Sequence, residues 1–360
     1  MFQTSRKDWV ELLALLRLVS DGTVPMADDR GRPTDSRRPL RAICRQEQQG
    51  LRTYTRDAST ISITCPEQAP IAIALELWQE ATTHAFNLLR TSEGDTLLDI
   101  DDAMEAFLDE IQLLSIGGTA EGQHHLIVEW ADGGQGLTAV LSRVGNQPSR
   151  LLDGGRAANM KLEQTGTRFA TPMAAKVNAV ESDQSIRDRM LMVERMGSSL
   201  RYVNVADRVF RANLSLIDLH LGRLLTEMLR FSYMEDMLRF DELVAAMRVI
   251  NPLKVSTELI EKHRYYEAKL QQLLLACLAG MRPGKIYTGA TSMPPHLVVL
   301  SADGSPVLFD TADRETLAAF LLRNARLERG STEKDKYGQL ERENNVYYFK
   351  LNLKIGLTKR

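Results

Sequence analysis

The segment HHLIVEWADGGQGLTAVLS, residues 124–142, predicts two β-strands joined by a tight turn. Its first half, HHLIVEW, and its later half, LTAVLS, are both rich in the apolar and β-branched residues that favour strands. Between them stand Asp132, Gly133 and Gly134, which supply the backbone conformations of a short turn. On such strands, side chains two residues apart share a face. Any chemistry carried by this hairpin must therefore come from alternate positions.

The flanking sequence alternates between helical and strand-like spacing. Before the hairpin, the apolar spacing predicts an amphipathic helix over residues 7–19 and a group of strands over 51–75 that breaks at Pro66. It also predicts two more helices, over 74–92 and 101–114. The stretch 24–39 reads as a polar loop. After the hairpin come a mixed region over residues 151–162, a mostly helical region over 184–250 and a further helix over 259–281. A hairpin over 296–310, another helix over 314–329 and an alternating strand over 345–357 follow. This order predicts an α/β protein.

Composition limits the class of protein only loosely. The chain has 360 residues, 44% of them hydrophobic and 26% charged, which is typical of a globular protein. A net charge of -2 excludes a uniformly basic nucleic-acid coat, although a neutral total can include a basic groove on one side. The three cysteines are far apart, which indicates neither a disulfide framework nor a structural zinc site and favours a reducing cytoplasm. The N-terminal helix contains Glu11 and Arg17, so it is too polar to span a membrane.

Common enzyme motifs are missing from the sequence. It contains no Walker A loop, dinucleotide fingerprint, HExxH helix or nucleophile elbow. Adjacent residues on a strand point to opposite faces, so at most one of His124 and His125 could join a metal site, and an exposed or core histidine is the alternative. An acidic residue two positions before a lysine occurs at Glu267 and Lys269, inside a predicted helix where residues two apart do not share a face. That pair is therefore interpreted as a solvated helical pair.

The polar loop before the hairpin is locally basic. It has arginines at positions 30, 32, 37, 38 and 41. Two interpretations stay open for this loop: a solvated surface segment, or a contact with phosphate groups.

Several separate stretches, in one order, resemble the HpaII family of type II restriction endonucleases. The stretches are DWVELLALLRLVSDGTVPMADD (8–29), RPLRAICRQEQQGLRTYTRDASTISI (38–63), SRVGNQPSRLLDGGRAANMKLEQTG (142–166), HRYYEAKLQQLLLACLAGM (263–281) and STEKDKYGQLERENNVYYFKLNLKIGL (331–357). The terminal YFKLNLKI is the most specific match. The resemblance implies a restriction-endonuclease-like fold, a mixed β-sheet flanked by helices with a helical insertion. It implies regions 1–183, 184–281 and 282–360, of which the second is that insertion. It also implies cleavage of duplex DNA at CCGG, in host defence, with Mg²⁺.

The hairpin departs from the family pattern. By resemblance, the first strand opens on an aspartate and the second carries a polar residue and a lysine two apart, as in GFSIKS. Magnesium prefers carboxylate oxygens and bridges them to the substrate phosphate, and a lysine beside it can hold the attacking water. Here the aspartate position is His124 or His125, and the lysine position is Leu141. Shifting the register by one residue does not help, because residues 136–145 contain no Asp, Glu or Lys.

Three substitutes for the missing groups are considered. Glu129 and Asp132, near the hairpin turn, could provide carboxylates for a metal; His125 could act as a general base; Arg143 or Lys161 could supply positive charge. The alternative is a hairpin that is only structural. The protein is then either a Mg²⁺-dependent endonuclease or an inactive pseudo-nuclease that serves as a DNA-binding or regulatory subunit. A repurposed fold without affinity for DNA is a third possibility.

The predicted DNA contacts are more complete than the catalytic set. Arginine can bond bidentately to guanine, asparagine can read a base edge or hold a backbone turn, and lysine can contact phosphates. The predicted DNA-binding residues are Arg143, Asn146, Arg150, Arg156, Asn159, Lys161, Lys334 and Lys336. Double-stranded DNA is the expected partner, and no membrane association is expected. A palindromic target leaves a homodimer or a partner subunit open.

Overall fold

The computed structural model describes residues 2–48, 50–94, 96–117, 126–289 and 293–359. The chain divides into two compact units. The first comprises Met1–Ser149, Met293–Phe320 and Leu357–Arg360, and the second comprises Arg150–Ser292 and Leu321–Gly356. Neither unit is continuous in sequence. The three regions 1–183, 184–281 and 282–360 remain a sequence prediction.

Helices and strands alternate along the chain, which confirms the α/β class. The strands are β1 (Phe2–Ser5), β2 (Thr23–Ala27), β3 (Pro33–Glu47), β4 (Gly50–Arg56), β5 (Thr60–Thr64), β6 (Ile71–Ala74), β7 (Leu97–Ile100), β8 (Leu126–Trp130), β9 (Gln135–Ser142), β10 (Arg150–Asp153), β11 (Asn159–Gly166), β12 (Ser198–Val205), β13 (His296–Leu300), β14 (Pro306–Asp310), β15 (Ala325–Leu327), β16 (Leu340–Glu343), β17 (Val346–Asn352) and β18 (Lys354–Leu357). The helices are α1 (Arg6–Asp21), α2 (Leu75–Thr91), α3 (Asp102–Glu110), α4 (Thr171–Asn178), α5 (Ser185–Arg195), α6 (Arg208–Ser215), α7 (Leu221–Glu235), α8 (Phe240–Ile250), α9 (Thr257–Glu261), α10 (Tyr265–Leu278), α11 (Arg314–Asn324) and α12 (Thr332–Asp335).

The first unit is built on a mixed sheet. Its strand order is β2-β14-β13-β9-β8-β3-β4-β5-β6, and β2 also pairs with β3, so six of these strands form a closed ring of pairings. β13 runs parallel to β9, and β14 runs parallel to β2. The other described pairs in this sheet are antiparallel. The hairpin β8–β9 thus lies in the middle of the sheet.

Helix α1 packs on one face of this sheet. Ser5 caps its N-terminus by accepting a hydrogen bond from the Asp8 N–H, and Gly22 ends it with φ 66°, a left-handed conformation that glycine adopts without strain. The fully buried Trp9 donates its indole N–H to the Ala85 carbonyl of α2, and Trp78 of α2 donates to the Leu16 carbonyl. Burial of each such apolar side chain contributes roughly 1.5–3 kcal/mol. This core holds the sheet in place from one side.

The second unit contains two smaller sheets. β12, β11, β17 and β16 form an antiparallel sheet in that order, and β10, β18 and β15 form the other. The helical stretch predicted over 184–250 was wrong at residues 198–205. These residues form β12, because β11 offers them a complete antiparallel edge and the alternating Leu200 and Tyr202 fit a half-buried sheet.

Three other element predictions need correction. The polar loop 24–39 is mostly the antiparallel pair β2–β3, which turns at residues 28–32 where Gly31 has φ 77°. The helix predicted over 259–281 divides into α9 and α10 at Arg264, whose φ of 47° interrupts the helical backbone. The helix predicted over 314–329 ends at Asn324, because residues 325–327 join β18 as β15. The N-terminal helix, the helices α2 and α3 and both predicted hairpins are confirmed.

Across the described residues, no helix is both long and apolar enough to cross a bilayer. Cys44 and Cys277 are free thiols.

Candidate functional site

The structure confirms the hairpin at residues 126–142. β8 and β9 pair antiparallel, from Leu126 opposite Thr138 to Glu129 opposite Gln135. In the turn, Asp132 accepts a hydrogen bond from the Gly134 N–H at 3.1 Å, and Gly133 has φ 91°. This is the local chemistry that the glycines and the aspartate predict.

The two faces of the hairpin differ in what they contact. Leu126, Val128 and Trp130 are buried in the core beneath α1. Because side chains alternate along a strand, Leu141 and the residue two before it, Ala139, lie on the opposite face from the core residue Val140. Ala139 is 7% exposed, Leu141 is half-buried, and Leu141 has Val299 of β13 as its parallel neighbour. The face that would present a polar residue and a lysine is therefore apolar.

The acidic substitutes lie at the other end of the hairpin. Glu129 is opposite Gln135, which is six residues from Leu141, so Glu129 lies roughly 20 Å along the strand from that position. The Glu129 carboxylate accepts a hydrogen bond from the Cys44 thiol, with an S···O distance of 3.6 Å. Asp132 is exposed and forms an ion pair with Arg38 at 3.1 Å. The Gly134 N–H and the Arg38 guanidinium hold the pKa of Asp132 below its ordinary value.

A cluster at the hairpin turn was missed by sequence reasoning. The Arg38 guanidinium lies 4.3 Å from the Trp130 ring centre, and its Nη1 is 3.0 Å from His296 Nε2. Burial and the neighbouring Arg38 lower the pKa of His296. Because arginine can only donate, His296 Nε2 accepts, and the imidazole is neutral with its proton on Nδ1. No spacing in the sequence connects His296 with the hairpin, since β13 brings it there from a distant segment.

Magnesium does not fit the described part of the hairpin. Ala139 and Leu141 provide no oxygen ligand, and Asp132 is engaged by the turn and by Arg38. Among the described residues, no group of three or more His, Cys, Asp or Glu side chains could hold a metal ion. The predicted general base His125 lies outside the described residues, as does His124.

Among the predicted DNA contacts, Arg143 and Asn146 belong to the first unit. Arg143 is buried, and its Nε donates to the Thr358 carbonyl at 3.0 Å. Asn146 is exposed and accepts a hydrogen bond from the Lys359 ammonium at 2.7 Å. As placed here, Asn146 is the more accessible of the two.

The remaining predicted contacts belong to the second unit, where two cations are neutralised internally. Arg150 forms ion pairs with Glu328 at 2.9 Å and Asp153 at 3.3 Å. Lys161 pairs with Glu343, and its ammonium lies 3.9 Å from the Tyr348 ring centre. These pairs leave little free positive charge at Arg150 and Lys161.

The other four are brought together around Asn159. Asn159 is buried, and its Nδ2 donates to the Asp335 and Lys336 carbonyls at 2.9 and 3.2 Å. Arg156 is exposed, and its Nε donates to the Lys334 carbonyl. The ammonium groups of Lys334 and Lys336 are exposed and have no ion-pair partner within the described ranges. We call Arg156, Lys334 and Lys336 the basic corner, and Asn159 is the residue that holds its backbone.

The fold is mixed α/β, and the β8–β9 hairpin near the middle of its nine-stranded sheet carries apolar side chains at Ala139 and Leu141. A family model described as HpaII restriction endonuclease matches residues 5–357. The Type II restriction enzyme HpaII of Haemophilus parainfluenzae is 23% identical over 363 residues, with 98% of each chain covered. No solved structure matches this chain. The chain belongs to the HpaII restriction endonuclease family.

Proposed function

We propose that this protein recognises specific duplex DNA in a restriction system, as a type II restriction endonuclease directed to CCGG. The observation that carries this proposal is the family match over residues 5–357, nearly the whole chain. We also propose that the mixed sheet around β8–β9 is a restriction-endonuclease-like core, and that the protein acts in the cytoplasm, where its DNA would be found.

The basic corner supports DNA binding on chemical grounds. Two unpaired ammonium groups and one exposed guanidinium lie within a few residues of backbone that Asn159 holds in place. Contacts of this type bind backbone phosphates, and each neutralised phosphate releases counterions. The exposed guanidinium of Arg156 is also the type of group that can bond bidentately to guanine.

A second candidate function rests on one specific observation, the apolar face at Ala139 and Leu141. Under this alternative, the protein would bind duplex DNA through its other surfaces but would lack the groups that place a divalent ion beside the scissile phosphate. It would act as a pseudo-nuclease, either alone or with a subunit that carries an intact site. A copy of the chain or a different subunit would be its partner at a palindromic site.

One paired experiment separates the two functions. The purified protein is mixed with matched duplexes that contain CCGG or a scrambled site; binding is measured by gel shift, and cleavage is measured with Mg²⁺ or Mn²⁺. The endonuclease predicts cleavage of the CCGG duplex only, and the pseudo-nuclease predicts CCGG-dependent binding without cleavage. Absence of binding to either duplex would overturn both.

A further inference from the structure

A second cationic surface lies in the first unit, where α1 ends beside β2, β3 and β4. It consists of four arginines that are exposed or half-buried. We call Arg17, Arg37, Arg41 and Arg56 the arginine surface.

Backbone geometry brings these arginines together. The Arg56 guanidinium covers Gly22, since a Cβ at that glycine would lie 2.9 Å from Arg56 Nη1. Arg41 and Arg56 line one small cleft beside Gly22. The pairing of β3 with β8 shifts register between Leu40 and Ala42, so Arg41 is the extra residue of a β-bulge. Bulges of this kind re-aim a side chain.

Arg37 and Arg17 extend the surface along β2 and α1. Arg37 is opposite Pro25 of β2, and its Nε donates to Thr23 Oγ1 at 3.2 Å. Arg17 Nε is 3.4 Å from the Gly304 carbonyl. Both contacts use neutral acceptors, so neither removes the charge of the guanidinium.

The charges of this surface are not balanced by ion pairs. Within the described ranges, none of the four guanidinium groups lies within 4.0 Å of a carboxylate oxygen. Asp21 is half-buried among three of them: burial raises its pKa, and Arg17, Arg56 and Arg37 lower it. The C-terminal end of α1 adds a partial negative charge of about 0.5. A substantial positive charge therefore remains, on a chain whose net charge is -2.

The size of the cleft decides what kind of anion can bind. The cleft between Arg41 and Arg56 has a volume of about 20 Å³, which is too small to enclose a nucleotide or a similar small molecule. A larger ligand is therefore contacted at the surface, where arginines from α1, β3 and β4 are available to it. A polymer with regularly spaced phosphates can be contacted in this way.

We propose that Arg17, Arg37, Arg41 and Arg56 contact backbone phosphates of duplex DNA, in addition to the basic corner of the second unit. This inference rests on the proposed function, because it takes duplex DNA as the partner. The contacts are independent of base sequence, so they add affinity equally to CCGG and to other duplexes.

The test compares two double variants of the full chain. Arg37→Ala/Arg41→Ala removes two cations of the arginine surface. Arg239→Ala/Lys262→Ala, the control, removes two exposed cations that are ion-paired, Arg239 with Asp241 and Lys262 with Glu258. Binding to CCGG and scrambled duplexes is measured at several salt concentrations. The slope of log K against log salt is negative, and we expect the first variant to make it less steep by roughly 1.8 on both duplexes, while the control leaves it unchanged.

Several outcomes would overturn the inference. If the wild type binds duplex and Arg37→Ala/Arg41→Ala keeps the wild-type slope, the arginine surface does not contact DNA, although the proposed function survives. Heparin and single-stranded RNA are measured as further probes. If Arg37→Ala/Arg41→Ala weakens binding to these two polyanions but not to the duplexes, the inference is likewise overturned. If the wild type binds no duplex, both proposals fail. Arg37→Lys/Arg41→Lys keeps the charge and should restore the slope, which separates a charge effect from a folding defect.

Discussion

The hairpin face at Ala139 and Leu141 differs from the buried amide of Asn159 in the groups that maintain its structure. We call Asn159, with its hydrogen bonds to the carbonyls of residues 335 and 336, the lock. At the hairpin, the strand pairing is intact while the outer side chains are apolar. At the lock, a buried amide still joins β11 to the segment at 335–336 and accepts a hydrogen bond from Asn352 at 2.8 Å. The difference teaches that strand pairing, which uses main-chain groups, does not depend on which side chains the strands carry, whereas the contacts of Asn159 depend on one particular side chain.

The largest effect is expected at the lock. Asn159→Ala removes the donor to the buried Asp335 carbonyl and the part-buried Lys336 carbonyl, and it removes one of the two acceptors of the Asn352 amide, so the free energy of unfolding should fall by about 3 kcal/mol. Urea unfolding measures this change. Asn146→Ala, at an exposed position, is the matched control and should change stability by less than about 0.5 kcal/mol. Equal effects of the two substitutions would mean that Asn159 is not a lock.

A smaller effect, on binding rather than on folding, is expected at the basic corner. Lys334→Gln/Lys336→Gln removes two unpaired charges. Lys336 has a φ of 51°, and glutamine, like lysine, carries a Cβ, so the backbone strain at this position is the same in the variant and the wild type. Affinity for duplex DNA at 0.1 M salt should fall roughly 30- to 100-fold, because two counterion-releasing contacts are lost. Gel shifts on CCGG and scrambled duplexes check this, with Arg239→Ala/Lys262→Ala as the control. Unchanged affinity would remove the basic corner from the proposed interface.

The turn of the hairpin should make stability depend on pH. The pKa of His296 is lowered in the folded protein, so below its ordinary value of 6.5 the unfolded chain binds the proton more readily. The contribution of the neutral His296 to the free energy of unfolding is fully present above pH 6.5. It is lost as the pH falls through the lower pKa of His296 in the folded protein. Thermal unfolding between pH 7 and 5 measures it, and His296→Asn should flatten the profile. A profile that is equally steep in this variant would assign the effect to other groups.

The smallest effect is expected at the carboxylates of the hairpin. If the hairpin is only structural, Glu129→Gln and Asp132→Asn should leave duplex affinity within about twofold of the wild type. Asp132 forms an exposed ion pair, which contributes little, and Glu129 accepts a hydrogen bond from Cys44. The same variants decide the catalytic question. Mg²⁺-dependent cleavage that disappears in either variant would show that the turn supplies a metal site after all.

Sequence patterning predicted individual helices and strands better than it predicted which strands pair with each other. The helix α1 and the β8–β9 hairpin follow from apolar spacing and turn residues that lie within a few positions of each other. The strand β12 was mistaken for helix, because its edge position on β11 is set by a segment far away in sequence. Propensity is a weak guide wherever tertiary pairing determines the structure.

The same division applies to the candidate sites. That no lysine or carboxylate stands at residues 136–145 is a property of the chain alone, and no fold can supply what the hairpin lacks at those positions. Packing over long distances placed Arg143 under the Thr358 carbonyl, joined Arg38 to His296, and left Lys334 and Lys336 free. Burial and charge pairing depend on what the rest of the molecule brings to a side chain, and a linear pattern does not contain that information.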